Sequence, residues 1–389
     1  MKRFSGRWPV CVLLCLLLGL WLCLPAAAAG AETTAPAGGS DARPDAAGET
    51  DAFTRDLLSH FRDSVPEGVR EGLPDLCDPD ALAGAVSPSS LFTLVGEALG
   101  KGVQTLAPFL RGAVAVLIAA IVVGTLAPPG GIAAGAVEMG GMLLLYGALE
   151  GTFTRALTYL SDLSSFAGGL TPVFTALYVA GGNTSAAVSA ASGLSIFCGV
   201  CAALGERVLS PLLRILLCLS LLCVLSGFSM LEELTKTVRG WAMTLFGLFS
   251  VLFPAAVGFQ TNLLHASDSL AARGARYAVG SAIPVVGGAL SGTLGTLTAS
   301  LNLLRATVGT GGFLAVLGMA LPVLAELLLC RMALSLAGAL AGLCPGGAGG
   351  LFRRVGGVLD LLLAAVACAC VLLLFLLVLL CRCAPAIAG

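Results

Sequence analysis

From Tyr277 to Leu304 the chain runs for 28 residues without one charged side chain. As an α-helix such a run is about 42 Å long, enough to cross the hydrocarbon of a bilayer. It is not a plain greasy segment. Gly280, Gly287, Gly288, Gly292 and Gly295 alternate with Ser281, Ser291, Thr293, Thr296, Thr298 and Ser300. Gly288 and Gly292 form a GxxxG step. Small side chains let helix backbones approach closely in lipid, where hydrophobicity alone does not hold helices together. Pro284 frees a backbone carbonyl and favours a kink or a break. Irregular backbone at membrane depth persists only inside protein or along water. Gly280, Pro284, Gly287, Gly288, Ser291, Gly292 and Gly295 are therefore candidates for a helix-packing hub or a pore lining. An ordinary, tightly packed membrane helix is the plainer reading of the same letters.

The whole chain shares this character. Of its 389 residues, 57% are hydrophobic and only 11% are charged, and the mean hydropathy is +0.98. Soluble domains carry roughly 25% charged residues. The composition gives an all-α, polytopic membrane protein. The net charge of −1 offers nothing to a nucleic acid, so no nucleic-acid partner is expected. Charge is unevenly placed: residues 30–105 hold 13 of the 22 acidic residues and 5 of the 21 basic ones. An acidic, polar block ahead of an apolar one reads as a small extracytoplasmic region before a membrane domain.

Residues 1–29 read as a cleaved signal peptide. Lys2, Arg3 and Arg7 supply the positive start, Val10 to Leu24 the apolar stretch, and Ala26 to Ala29 the small-residue cleavage sites. A retained signal anchor is the alternative. Residues 30–105 form the acidic extracytoplasmic region. Within it, residues 30–50 are an Ala-, Gly-, Pro- and acid-rich disordered tether. Residues 51–105 carry amphipathic helices. Phe53, Leu57, Leu58, Phe61 and Val65 recur at helical spacing up to Pro66. Ser87-Pro88 has the form of a cap and first helical residue. These helices either dock a partner or the bilayer interface, or fold back on the protein itself.

Residues 106–389 form the polytopic membrane domain, with its Gly/Ser/Thr-rich core segment at 277–312. Expected spans are 110–127, 131–150, 166–181, 187–205, 208–229 and 240–259, with Pro254 at the end of the last. The glycine-rich run at 277–304 follows, then 312–343, as one span or two divided near Glu326 and Arg331, and 357–381. About seven to nine crossings are expected. Ala127-Pro128-Pro129-Gly130 is a tight turn that makes the first two spans a hairpin. A cleaved signal puts the first crossing outside to inside. Lys236, Arg239, Arg353 and Arg354 then fall inside, as the positive-inside rule prefers.

Ionisable groups in membrane segments are functional candidates by default. Glu138, read as mid-span, is a candidate cation or proton site, or a glutamate satisfied at a helix contact. Glu326 lies five residues before Arg331 and either pairs with an arginine or marks a helix break. Arg111 and Arg214 lie near span ends and snorkel. Fourteen cysteines stand mostly in apolar runs, where cysteine behaves as a small hydrophobe. Cys198-Gly-Val-Cys201 has redox spacing but no basic activator nearby. With two histidines, His60 and His265, a multi-histidine metal site is not available in one chain. No G-x-S-x-G, P-loop or H-E-x-x-H motif occurs. The expectation is a non-enzymatic protein with no cofactor, no metal and no catalytic residues.

Between Pro254 and Leu343 the order of features resembles a known family. Phe253-Pro254 is followed by Gly258-Phe259-Gln260 and by the polar stretch Leu270 to Val279. Ile283-Pro-Val-Val-Gly-Gly-Ala-Leu-Ser291 with its glycine ladder comes next, then Leu301 to Gly309 and an apolar block before Arg331. This resembles the stage III sporulation protein AE family of endospore-forming bacteria. The Cys-, Ala- and Gly-rich spans depart from the Ile/Ser-rich spans of that family, a chemically conservative change. The resemblance implies a subunit of a secretion-like channel between mother cell and forespore, in the mother-cell membrane. It implies partners among the other stage III operon proteins and in the forespore membrane, besides the lipid bilayer. It carries no catalytic residue. A homo-oligomer is also open. A secondary transporter using Glu138 and the Pro284-broken run, and a scaffold that only recruits partners, are the competing functions.

If Gly288 and Gly292 share a contact face, Gly288→Leu and Gly292→Leu overpack it at about 1–3 kcal/mol each. Both variants are expected to lower protein accumulation or complex assembly on immunoblots of membrane fractions. Leu373→Ala, read as lipid-facing, is the mild control.

Overall fold

The computed structural model describes residues 44–70, 84–85, 87–126, 132–181, 184–226, 229–282, 287–342 and 349–383. Every regular element among them is a helix. They are α1 (Pro44–Ser64), α2 (Glu67–Arg70), α3 (Pro88–Leu126), α4 (Ile132–Ala180), α5 (Thr184–Ala202), α6 (Ser210–Ser226), α7 (Ser229–Ala282), α8 (Gly287–Gly342) and α9 (Gly349–Cys383). A π-helical stretch, Ala203–Leu209, joins α5 to α6. The expected signal peptide at 1–29 and residues 30–43 of the expected tether lie outside the described residues; residues 44–50, expected to belong to the disordered tether at 30–50, instead form the first turns of α1.

Local chemistry sets several helix ends. Ser87 caps α3: its hydroxyl accepts the Ser90 backbone N–H at 3.4 Å, and Pro88 takes the first helical position. α1 stops just short of Pro66, as its letters require. Other prolines do not end helices. Pro108, Pro172, Pro254 and Pro322 all lie inside them. Pro254 thus does not close a span, because α7 continues through it. Packed neighbours tolerate the freed carbonyl that would end an isolated helix.

Six stretches among the described residues are long and apolar enough to cross a membrane, where hydropathy led to an expectation of seven to nine. They lie in α3, in α4, in α5 through α6, in α7, in α8 and in α9. Fusion accounts for two of the expected spans, and the glycine-rich run at 277–303 lies outside the residues whose side chains are described. The expected spans 131–150 and 166–181 are two halves of α4. The expected spans 187–205 and 208–229 are one helix carried through the π-turn.

Directions follow from close contacts. α8 and α9 are antiparallel. A Cβ on Gly309 would lie 2.7 Å from Cys381 Sγ, one on Gly312 would lie 3.4 Å from Leu377 Cδ2, and one on Gly338 would lie 3.2 Å from Phe352 Cβ. Gly309 and Gly312 are the described end of the Gly/Ser/Thr-rich core segment. α3 and α4 form the expected hairpin: Gly112 faces Ala148, and Gly141 faces Val116. α7 runs alongside α9 in the same direction, with Gly357 against Arg239 and Gly258 against Leu379.

α9 is the axis of the bundle. It touches α4, α5, α6, α7 and α8, and its apolar window is 83% buried in protein, against 22% for the window of α7. The most apolar helix is therefore the one that lipid touches least. Lipid tails are as apolar as leucine, so hydropathy cannot tell the two surroundings apart. The reading of Leu373 as lipid-facing is corrected accordingly: Leu373 is fully buried.

α1 folds back on the bundle. Leu57, Phe61 and Val65 are buried, and Phe61 meets Phe166 of α4 edge-on with ring centroids 6.2 Å apart. Gly169 of α4 admits Ser64 so closely that a Cβ would collide with it. Val69 of α2 lies 2.9 Å from where a Cβ on Gly318 of α8 would be. Of the two readings of these amphipathic helices, the apolar face of α1 serves the protein's own bundle.

Leu373→Ala is now expected to destabilise the solubilised protein by about 2–5 kcal/mol, the range for truncating a buried leucine. Phe375, on the same helix and 42% exposed, is the mild control. Thermal unfolding of the two alanine variants in detergent checks the order.

Candidate functional site

A charge between apolar helices must find a partner or it disfavours the fold. Two ion pairs answer this requirement, and both use α8. Glu326, five residues ahead of Arg331, is 7% exposed at its side chain. It accepts Thr152 Oγ1 of α4 at 2.7 Å and Arg155 Nε at 2.8 Å, with a second, shorter bond from Arg155 Nη2. Arg155 is 49% exposed and closes the pair from the rim. α3 covers the same turn: a Cβ on Gly102 would lie 3.0 Å from Leu329 Cδ1 and 3.5 Å from the Glu326 nitrogen. A carboxylate holding three donors is fixed in place. It holds α4 and α8 in register and is not a free base.

Arg331 turns the other way. Its Nε donates to Asp360 Oδ1 of α9 at 2.5 Å, and its Nη2 donates to Oδ2 at 3.3 Å. Gly356 makes room for it, since a Cβ there would stand 3.2 Å from Nη1. Glu326 and Arg331 therefore do not pair with each other, and neither breaks α8. Glu326 does pair with an arginine, but that arginine is on α4. Longer-range bonds add to this register: Tyr178 of α4 donates to the Leu380 carbonyl of α9 at 2.8 Å, and Ser164 Oγ of α4 donates to the Cys198 carbonyl of α5 at 3.2 Å.

Glu138 is not mid-span. It lies six residues after the start of α4, half-buried, and Arg354 of α9 is the charge that acts on it. Gly280 lies in α7, and Gly287, Gly288, Ser291, Gly292 and Gly295 lie in α8. Their side-chain surroundings, and Pro284 altogether, lie outside the described residues. Cys198 and Cys201 are free thiols in α5 and share no bond. Arg111 and Arg214 are exposed.

Sequence reasoning missed Thr152, Arg155 and Asp360. Arg155 stands between the expected spans 131–150 and 166–181. Asp360 is the lone charge within the expected span 357–381, and that isolation was the available signal.

The model of the stage III sporulation protein AE family matches residues 130–384, which takes in α4 to α9 and both ion pairs. Comparison with curated proteins and with solved structures gives no match.

Arg155→Ala strands the Glu326 carboxylate and is expected to cost on the order of 3 kcal/mol. Replacing both Arg155 and Glu326 by leucine should recover most of that loss. Unfolding of the single and double variants in detergent measures the coupling; additive losses would show that the pair does not hold the helices.

Proposed function

We propose a role that starts from one premise: the chain belongs to the stage III sporulation protein AE family. It is a sporulation protein with several membrane-crossing helices. Our reading is that it acts without catalysis as a membrane subunit of a secretion-like channel linking mother cell and forespore. It sits in the mother-cell membrane with its N-terminal region extracytoplasmic. Other proteins of the stage III sporulation operon, and a partner in the forespore membrane, complete the assembly.

The observation that carries this reading is the filled centre of the bundle. Side chains of α9 occupy the axis that a solute would follow through a single chain, and Leu361, Leu362, Cys370, Leu373 and Leu377 are among those buried there. A chain packed in this way supports transport as part of an assembly. The position of Glu138 near the start of α4, within the field of Arg354, weighs against a self-contained carrier built on that carboxylate. The outer face of α3 offers a place for partner helices. Phe92, Val95, Leu99 and Val103 are exposed there, and a Cβ on Gly96 or Gly100 would meet nothing within 4 Å.

Two measurements test the proposal together. Cross-linking in sporulating cells followed by purification is expected to recover other operon proteins with this one. Proteoliposomes holding the purified chain alone are expected to pass small solutes no faster than empty vesicles. Solute-specific flux by the chain alone would establish a carrier instead, and recovery of partners without any channel in the assembled complex would leave a scaffold.

A further inference from the structure

Gly356 and Gly357 open a notch in α9 that two arginines enter. Arg331 of α8 lies on Gly356 and is held by Asp360. Arg239 of α7 lies on Gly357, so closely that a Cβ there would collide with its guanidinium. Arg239 is half-buried, yet no carboxylate among the described residues stands within ion-pair distance of it. Lys236, one turn earlier on α7, is already held at 3.0 Å by Glu232 and at 3.0 Å by Glu233. Arg353 is exposed and Arg354 half-buried one turn before Gly357 on α9. Both act on Glu232 electrostatically, and Arg354 also acts on Glu138, but neither forms an ion pair among the described residues.

At this end of the bundle Lys236, Arg353 and Arg354 share Glu232, Glu233 and Glu138, and Arg239 is set apart from them. Among the described residues, Arg239 beside Gly357 and Arg353 one turn earlier have no ion-pair partner. A guanidinium withdrawn from water beside apolar helices needs one. Trp241, 71% exposed on the outer side of the same stretch of α7, fits the level where bilayer meets water, because indole prefers that layer. The anion within reach of that level is a phospholipid phosphate, and basic pockets between membrane helices take such headgroups.

We propose that the notch between α7 and α9 binds the headgroup of an anionic phospholipid, its phosphate on Arg239 and Arg353. Asp360 keeps Arg331 out of the site, and Glu232 and Glu233 keep Lys236 out of it. The lipid then acts as a removable counter-ion between the peripheral helix α7 and the axial helix α9.

Native mass spectrometry of the full chain in detergent tests this with added phosphatidylglycerol, phosphatidylcholine or inorganic phosphate. Phosphatidylglycerol is expected to stay bound in preference to phosphatidylcholine. Arg239→Gln and Arg353→Gln should each weaken that preference about fivefold, the size of one basic residue's attraction to an anionic surface. Arg353 is exposed, so its variant reports on the site without disturbing the fold. Equal retention of the two lipids, or an unchanged preference in both variants, would overturn the proposal. So would displacement of bound phosphatidylglycerol by millimolar inorganic phosphate, which would assign the site to a free anion.

Discussion

Glu326 and Arg331 cannot stay unpaired in an apolar bundle, and α8 satisfies them in opposite directions. One reaches Arg155 on α4 and the other Asp360 on α9. A five-residue offset turns them about 140° apart around the helix. Each pair fixes the rotation and the height of α8 against one neighbour, and together they leave it little freedom to slide. Hydrophobic contact alone would not do this, since an apolar helix surface is as comfortable against lipid as against another helix. The other features of the bundle follow from that fixed register. Gly309, Gly312 and Gly338 fall opposite Cys381, Leu377 and Phe352 only when α8 and α9 are held at this height.

The functional reading follows from the same packing. With α8 pinned, α9 is enclosed by five helices and the axis is solid. α1 and α2 pack on α4 and α8 near Gly169 and Gly318, so residues 44–70 are part of the same body. What remains for partners is the outside: the apolar face of α3, the exposed face of α7, and the polar face of α1 with Arg55, Asp56, Ser59 and His60. A rigid body with several outward faces suits a membrane subunit of a larger assembly.

Much of the architecture was legible in the letters. The all-helical membrane class, the cap at Ser87-Pro88 and the stop at Pro66 each rest on a local rule that the surroundings did not override; α3 and α4 pair antiparallel as expected, while the turn expected at 127–130 lies outside the described residues. Span boundaries were not legible, and Arg155 shows why. A polar stretch between two apolar ones reads as a loop when nothing indicates that its polar groups face a partner. Here Thr152 and Arg155 face Glu326, some 170 residues away in the chain, and the helix runs on. Pro254 and Leu373 failed for a related reason: whether protein or lipid surrounds a residue is a tertiary fact. Of the candidate site, Glu326 and Arg331 were visible as charges in an apolar run. Their partners were not, because pairing across helices leaves no mark in local spacing.

The central claim is that α8 lies locked antiparallel against the axial helix α9, and one cross-link tests it most directly. A Cβ on Gly309 would stand 3.7 Å from the Cys381 Cβ, inside the roughly 3.5–4.5 Å that a disulfide needs. Gly309→Cys, in a chain that keeps Cys381 and has its other cysteines replaced by alanine, should form an intrachain disulfide in membranes under mild oxidation. Mass spectrometry would identify it as linked peptides from α8 and α9. If both thiols stay open to alkylation, or join only between two chains, the axis described here is wrong.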